Sequence, residues 1–297
     1  MQKVLILGGS TYDLIIHLDE LPGAIPQTIH KAPFIEGCGS TGTGKAVPLT
    51  YLGIPNILYT AFGNDWYGKQ VEKFLADKKV NLVCITDPAG TQRHVNIMDK
   101  EGRRISMFIT QSSNELPHDE ALIKSLLEDC DLVVLNIIPY CRQLIPLVLA
   151  SGKPVWTDLH DYDGHNAYHE PFLQASQFVQ LSSDNLPDYL PVMENMIASG
   201  KQMVVCTHGR AGATLLAANG YRVDLPALPG MEIIDSNGAG DSFFAGLLYG
   251  YLKGADWKTC LQYALTCGAL AVTDSELAFR GLTPSHLEAQ MQIHFQN

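Results

Sequence analysis

The 297-residue chain is 46% hydrophobic and only 17% charged, enough apolar material for one large core. Its formal charge of -11, from 31 acidic against 20 basic residues, argues against a nucleic-acid footprint, and no run of Lys and Arg makes a local exception. The seven cysteines are scattered and mostly lie in apolar stretches, so they read as reduced thiols. The first apolar run is too short for a signal peptide and no run is long enough to span a bilayer, so the expected setting is the cytoplasm, without membrane partners.

Taken in chain order, VLIL at residues 4–7 reads as a short buried strand. Residues 13–36 then show strand-like alternation with no helix. ILYTAF (57–62) and LVCI (82–85) are further strands, separated by helical spacing over 66–79. Residues 91–110 alternate again, and HVNIMD-KEG-RRISMFI within them reads as a hairpin. A helical pattern over 119–130 precedes LVVLNII (132–138) and PVWTD (154–158); another over 186–199 precedes MVVC (203–206). ATLLAANGYRV follows as a hairpin with a tight turn at Asn219-Gly220, and three helical patterns (239–253, 257–273 and 284–295) close the chain. This order predicts an α/β fold with a mainly parallel buried sheet and crossover helices. The two helix-free insertions are expected to pair as one small β-sheet lid, about 13–36 and 91–110, interleaved with a single domain spanning 1–297.

The segment MEIIDSNGAGDSFFAGLLYGYLKG carries the chemistry. Gly238, Ala239 and Gly240 would let the backbone approach an anion, and the helix starting there offers unpaired N–H groups and its positive dipole end. Asp241, in that helix's first turn, stands where a carboxylate can accept the proton of an attacking hydroxyl. On these residues alone, an ordinary glycine turn with an aspartate at a helix start is an equal alternative.

The segment resembles the signature D-T-x-G-A-G-D of the ribokinase-like, or PfkB, carbohydrate kinases, with Ser236 in place of Thr. Further landmarks follow the family's order: GGSTYDLIIHLDELP near the start, Gly63 to Gly68 as G-x-D-x-x-G, and Thr207-His208-Gly209 before Gly212. The resemblance implies a Rossmann-like αβα sandwich with a lid, and phosphorylation of a hydroxyl on a small sugar or sugar-like molecule, nucleosides included. ATP and Mg2+ would be the cofactors. It casts Asp241 as base, the Gly238-Ala239-Gly240 turn as anion hole, and Asp13 as a ligand of sugar hydroxyls. Thr207, Gly209, Gly212, Ser236, Gly238 and Gly240 would border the nucleotide. Asp235 and Asn237 sit where some relatives hold a monovalent cation such as K+, with the loop 273–281 completing the site, and some relatives form homodimers through the lid.

This chain departs from the family at two places. In GCGSTGTGKAVPLTYLG, Gly39, Ala46 and Leu52-Gly53 fit the substrate-side pattern, but its Asn, a sugar contact, is replaced by Gly44. The usual N-x-x-E of the Mg2+ environment is replaced by Ser182 to Asn185, leaving Asp184 as its carboxylate, and Asn136 is the nearest polar candidate after the LVVLN strand. These losses motivate a rival reading, a non-catalytic sugar- or nucleotide-binding regulator on a kinase fold.

Other patterns compete. Gly39 to Lys45 spells G-x-x-x-x-G-K, but Ala46 lacks the hydroxyl a P-loop places on Mg2+. The first strand leads into GGSTYD, without the G-x-G-x-x-G of a dinucleotide turn. Asp158, His160, Asp161, Asp163, His165 and His169 cluster at no metal-ligand spacing and read as a solvated loop, with Asp158 or Asp161 able to line the cleft. Arg93 or Arg104 could clamp a phosphate on the substrate or be ordinary strand charges.

Overall fold

The computed structural model describes residues 2–295 apart from Gly102, which lies in the predicted hairpin turn. The first half holds β1 (Val4–Leu7), β2 (Thr11–His17), β3 (Phe34–Gly39), α1 (Thr41–Tyr51), β4 (Asn56–Phe62), α2 (Trp66–Asp77), β5 (Leu82–Thr86), β6 (Arg93–Met98), β7 (Arg104–Thr110), α3 (Glu120–Glu128) and β8 (Leu132–Leu135). There follow α4 (Pro139–Arg142), α5 (Ile145–Ala150), β9 (Val155–Asp158), α6 (Glu170–Ala175), β10 (Phe178–Ser182), α7 (Tyr189–Ala198), β11 (Met203–Thr207), β12 (Ala213–Ala217) and β13 (Arg222–Leu225). The helices α8 (Ala239–Leu252), α9 (Trp257–Ala271) and α10 (Pro284–Phe295) complete the chain.

The large sheet has the order β13-β12-β11-β10-β9-β8-β1-β4-β5, parallel from β11 to β5, with β12 and β13 added antiparallel at one edge. Successive side chains of a strand point to opposite faces, so a parallel strand covered on both sides must be apolar throughout. VLIL meets that demand. Val4 and Ile6 enter one core with the residues of α1, α8, α9 and α10, while Leu5 and Leu7 enter a second core with those of α3, α5, α6 and α7. The result is an αβα sandwich.

The second sheet has four strands in the order β3-β2-β6-β7. β2 pairs antiparallel with β3 and parallel with β6, and β6 pairs antiparallel with β7, so the two insertions do meet. Residues 18–33 connect β2 to β3 without regular structure.

The strand predicted over 132–138 ends at Leu135. There the Asn136 side chain donates to the Leu7 carbonyl, and Pro139 begins α4. The short helices α4, α5 and α6, each with proline in its first two positions, are absent from the sequence reading. Four to six residues are too few to display a helical period.

Candidate active site

One cleft of 2720 Å³ lies between the small sheet and the large one. The parallel strands β9, β10 and β11 end at it, with Asp158, Ser182 and Thr207 in its wall, as ligand sites in open α/β sheets lie outside the carboxyl ends of strands. The turn at 235–241 supplies another wall, and Asp13 and His94 line it from the small sheet.

The turn is built by Gly238, which caps α8 at φ 76°, ψ -2°, a left-handed conformation natural to glycine. Any Cβ there would stand 2.2 Å from the Leu277 carbonyl oxygen. Ala239, Gly240 and Asp241 form the first helical turn, whose N–H groups have no partner within the helix. Asp241 Oδ1 lies 2.5 Å from Lys45 Nζ, and Oδ2 has no partner among the described residues. The Asp241 side chain is 11% exposed.

Lys45 is completely buried. Its ammonium also contacts Asp158 Oδ2 at 3.2 Å and lies 5.0 Å from the centre of the Phe244 ring. Asp158 is anchored by the His160 N–H (3.0 Å) and by Gln180 Nε2 (3.1 Å), which also donates to the Gly240 carbonyl (3.1 Å). Burial and the charge of Asp158 push the Asp241 carboxyl above the usual carboxylate range, against the opposing charges of Lys45 and His160. At Asp158 burial also acts upward, but the charges of His160 and Lys45 prevail and hold it below that range. Burial would lower the Lys45 ammonium; the two carboxylates outweigh it and raise it.

These facts remove the P-loop reading of residues 39–45. Gly39 ends a strand of the small sheet, and Lys45 is spent on two carboxylates inside the protein. Gly44 abuts the same carboxylate: a Cβ there would stand 2.1 Å from Asp241 Oδ2. Where the family pattern has Asn, this chain has room for an aspartate.

At the other end, Asp13 is buried, accepting from the Thr11 hydroxyl (2.9 Å) and the His94 N–H (3.1 Å). Burial pushes its carboxyl up to about 6 despite these bonds. His94 Nδ1 is 3.6 Å away, but burial and Arg104 lower that imidazole to about 4, so it is neutral at pH 7. Gly39 plays beside Asp13 the part Gly44 plays beside Asp241, since its Cβ would stand 2.3 Å from Asp13 Oδ2.

On the remaining wall, Thr207, Gly209, Gly212 and Ser236 line the cleft, as do Asp184, Asp235 and Asn237. Gly212 has φ 105°, and a Cβ would stand 2.0 Å from the Leu225 carbonyl oxygen. Asp184 is exposed; Asp235 is buried, and its carboxylate accepts from the Asn237 N–H at 2.8 Å. Asn136 is not brought to the cleft. It is wholly buried and spends its amide on the Leu7 carbonyl. Arg104 lines the cleft, whereas Arg93 stacks on Tyr67 at 3.7 Å away from it.

The solvated-loop reading of 158–169 needs correction, because Asp158 and His169 are buried while Asp161, Asp163 and His165 are exposed. Among the described residues, no group of three or more His, Cys, Asp or Glu is placed to hold a metal ion. Asp158 and Asp161 do line the cleft, as the sequence allowed, but it gave no sign of Asp158, His160 and Gln180 as neighbours of Asp241 and showed Lys45 only as a P-loop lysine. One signal was available, since a lysine within TGTGKAVPLTY, flanked by small and apolar residues, needs a buried counter-ion.

Fold and cleft together define an α/β protein with a ligand cleft at the carboxyl ends of its parallel strands. Residues 170–282 match the family described as pfkB family carbohydrate kinase. The chain is 31% identical over 274 residues to the acarbose 7(IV)-phosphotransferase of Actinoplanes sp. (strain ATCC 31044 / CBS 674.73 / SE50/110), covering 91% of this chain and 92% of that protein. It is 25% identical to a nucleoside kinase of Methanothermobacter thermautotrophicus, over 92% of this chain and 90% of the relative. Among solved structures, a microbiome-derived acarbose kinase superposes with a TM-score of 0.86 at 27% identity, covering 98% of both chains. Ribokinase of Arabidopsis thaliana shares the fold, with a TM-score of 0.80 at 18% identity over 98% of this chain and 99% of that one. The chain therefore belongs to the pfkB family of carbohydrate kinases.

Proposed function

We propose that this chain transfers the γ-phosphoryl group of ATP to a hydroxyl of a carbohydrate, and that a glycoside such as acarbose is the acceptor class to test first. The observation that carries the reading is Asp241 in the first turn of α8, lining the cleft with Oδ2 unpaired among the described residues. The acceptor O–H breaks as its proton passes to Asp241 Oδ2; the freed oxygen bonds to the γ-phosphorus, and ADP departs with the electrons of the cleaved P–O bond. N–H groups at the start of α8 stabilise the negative charge on the transferring group. Asp13 accepts hydrogen bonds from sugar hydroxyls. The small sheet acts as a lid that excludes water and limits ATP hydrolysis.

Cleft size supports an acceptor larger than one ring. At 2720 Å³ it exceeds the roughly 1,000 Å³ upper end of ordinary small-ligand sites and has room for a nucleotide and a glycoside together. Thr207, Gly209 and Gly212 border the nucleotide. Mg2+ enters with ATP as part of the substrate, with the exposed carboxylate of Asp184 free to bind its hydration water. Asp235 fits a monovalent cation. Its buried carboxylate has one N–H partner among the described residues, and K+ held by Asp235, Asn237 and nearby carbonyls would steady the turn before Gly238. The same reading places the protein in the cytoplasm and allows two copies to pair through the small sheet.

The test is ADP release with Mg-ATP across acarbose, other oligosaccharides, hexoses, pentoses and nucleosides. The proposal expects turnover on at least one glycoside, with the phosphate recovered on the sugar. Sugar binding with no phosphoryl transfer anywhere in the panel would instead favour the regulatory reading.

A further inference from the structure

Lys45 is buried behind the cleft wall, and neither the fold nor a substrate contact explains it. Its ammonium has no access to solvent and so cannot reach ATP or sugar; both of its anionic partners are protein carboxylates. As a stabilising device the cluster is a poor choice, since apolar residues of similar volume usually serve as well as a buried ion pair. Its placement suggests another purpose. Lys45 comes from α1, Asp158 from the end of β9, and His160 from the residues after it, and these are the charged or titratable groups that bear on Asp241.

We propose that Lys45 is a positioning residue for Asp241, binding one carboxylate oxygen so that the other is presented to the substrate hydroxyl, while Asp158 remains as the permanent counter-ion of Lys45. The inference rests on the reading of Asp241 as base and adds to it how that base is kept competent. Asp158 and Asp241 contact the same ammonium. Without it two buried carboxylates would face each other, and like charges at such range favour retention of a proton by one of them. A protonated Asp241 cannot accept another proton. Lys45, 2.5 Å from Oδ1, opposes the burial and the Asp158 charge that raise the Asp241 carboxyl, and so favours its ionised form.

The arrangement also accounts for the end of the reaction. Once Asp241 Oδ2 has taken the hydroxyl proton, that carboxyl is neutral, and Lys45 would be a bare buried cation but for Asp158. Gln180 adds the mechanical link, holding Asp158 and the Gly240 carbonyl at 3.1 Å each and so tying the counter-ion to the turn that carries the base. Gly44 completes the device by leaving space beside Oδ2. The residues that resemble a phosphate loop in sequence thus serve the base instead of the nucleotide.

The experiment follows the Asp241 carboxyl directly, by 13C NMR of the full chain labelled at the aspartate side-chain carboxyl, the resonance being assigned by its loss in Asp241→Asn. Lys45→Met should raise the titration midpoint of Asp241 by at least about one pH unit, a tenfold loss of the ionised form on the acid side. Asp158→Asn should lower it, and Lys45→Arg should leave it near the wild-type value. The opposite signs of the first two shifts distinguish electrostatic support from packing, which predicts no shift. An unmoved midpoint in Lys45→Met overturns the proposal, and if that variant does not fold, an unmoved midpoint in Asp158→Asn does so. The base assignment stands apart: if Asp241→Asn keeps full turnover, Asp241 is not the base, whatever the titrations show.

Discussion

The two ends of the cleft hold the same pair of residue types in different electrostatic settings. At each, an aspartate lies against a glycine that leaves it room, the buried Asp13 against Gly39 and the partly exposed Asp241 against Gly44. Among the described residues Asp13 is hydrogen-bonded by a hydroxyl and an N–H beside an uncharged imidazole, and burial outweighs the more distant charges of Arg104 and Arg93 to push its carboxyl up to about 6. Asp241 has a full positive charge bonded to it. On the proposed reading one side chain serves two tasks. Asp13 waits for sugar hydroxyls to complete its hydrogen bonds, whereas Asp241, whose carboxyl is raised by burial and by Asp158, relies on the opposing charge of Lys45 to be ionised before the substrate arrives.

The sharpest way to break this comparison is to fill the space beside the base. Gly44→Asn, which restores the residue type of the family pattern, puts a Cβ within 2.1 Å of Asp241 Oδ2 and must displace the carboxylate. A misplacement of about 1 Å can cost on the order of 100-fold, so kcat should fall at least that far, with nucleotide binding retained by calorimetry. Near wild-type kcat would show that Gly44 makes no room the reaction needs.

At the opposite end the effect should be smaller and appear in KM. Asp13→Asn removes a charged acceptor from sugar hydroxyls, worth about 1.5–3 kcal/mol, so KM for the sugar should rise roughly 10- to 100-fold with less change in kcat. Steady-state kinetics at fixed saturating ATP separate the two parameters.

The same contrast predicts a pH signature. A carboxyl raised to about 6 is ionised above that pH and neutral below it, so it loses its charged acceptor as pH falls through 6. Sugar KM should therefore rise below pH 6 by up to about tenfold per unit in the wild type, and should be flat over that range in Asp13→Asn. A wild-type KM independent of pH from 5 to 7 would refute the role given to Asp13.

The smallest expected effect is that of the monovalent cation. Replacing K+ with a large organic cation should lower wild-type kcat a few-fold and leave Asp235→Ala unchanged. Equal sensitivity in both proteins would remove Asp235 from the cation site.

What the sequence revealed follows from how local each feature is. VLIL reads as a doubly covered strand because every one of its four side chains is apolar, and DSNGAGD reads as an anion-binding turn because its glycines, helix start and aspartate are contiguous. The Lys45–Asp158–Asp241 cluster depends on joining residues 113 and 196 positions apart, which no spacing rule foretells. Asn136 misled for a similar reason. Its position beyond a strand suggested a substrate contact, but its amide is needed for the Leu7 carbonyl where β8 stops. Charge likewise gave no warning that Asp158 is buried, since an acidic, histidine-rich stretch ordinarily marks a solvated loop.

The most direct test is a single turnover with γ-labelled ATP and the best acceptor of the panel, comparing wild type with Asp241→Asn at saturating concentrations of both substrates. Loss of the base should slow phosphoryl transfer by about 100- to 10,000-fold while sugar and nucleotide still bind. Transfer at the wild-type rate in Asp241→Asn would contradict the assignment of Asp241 as the group that takes the proton.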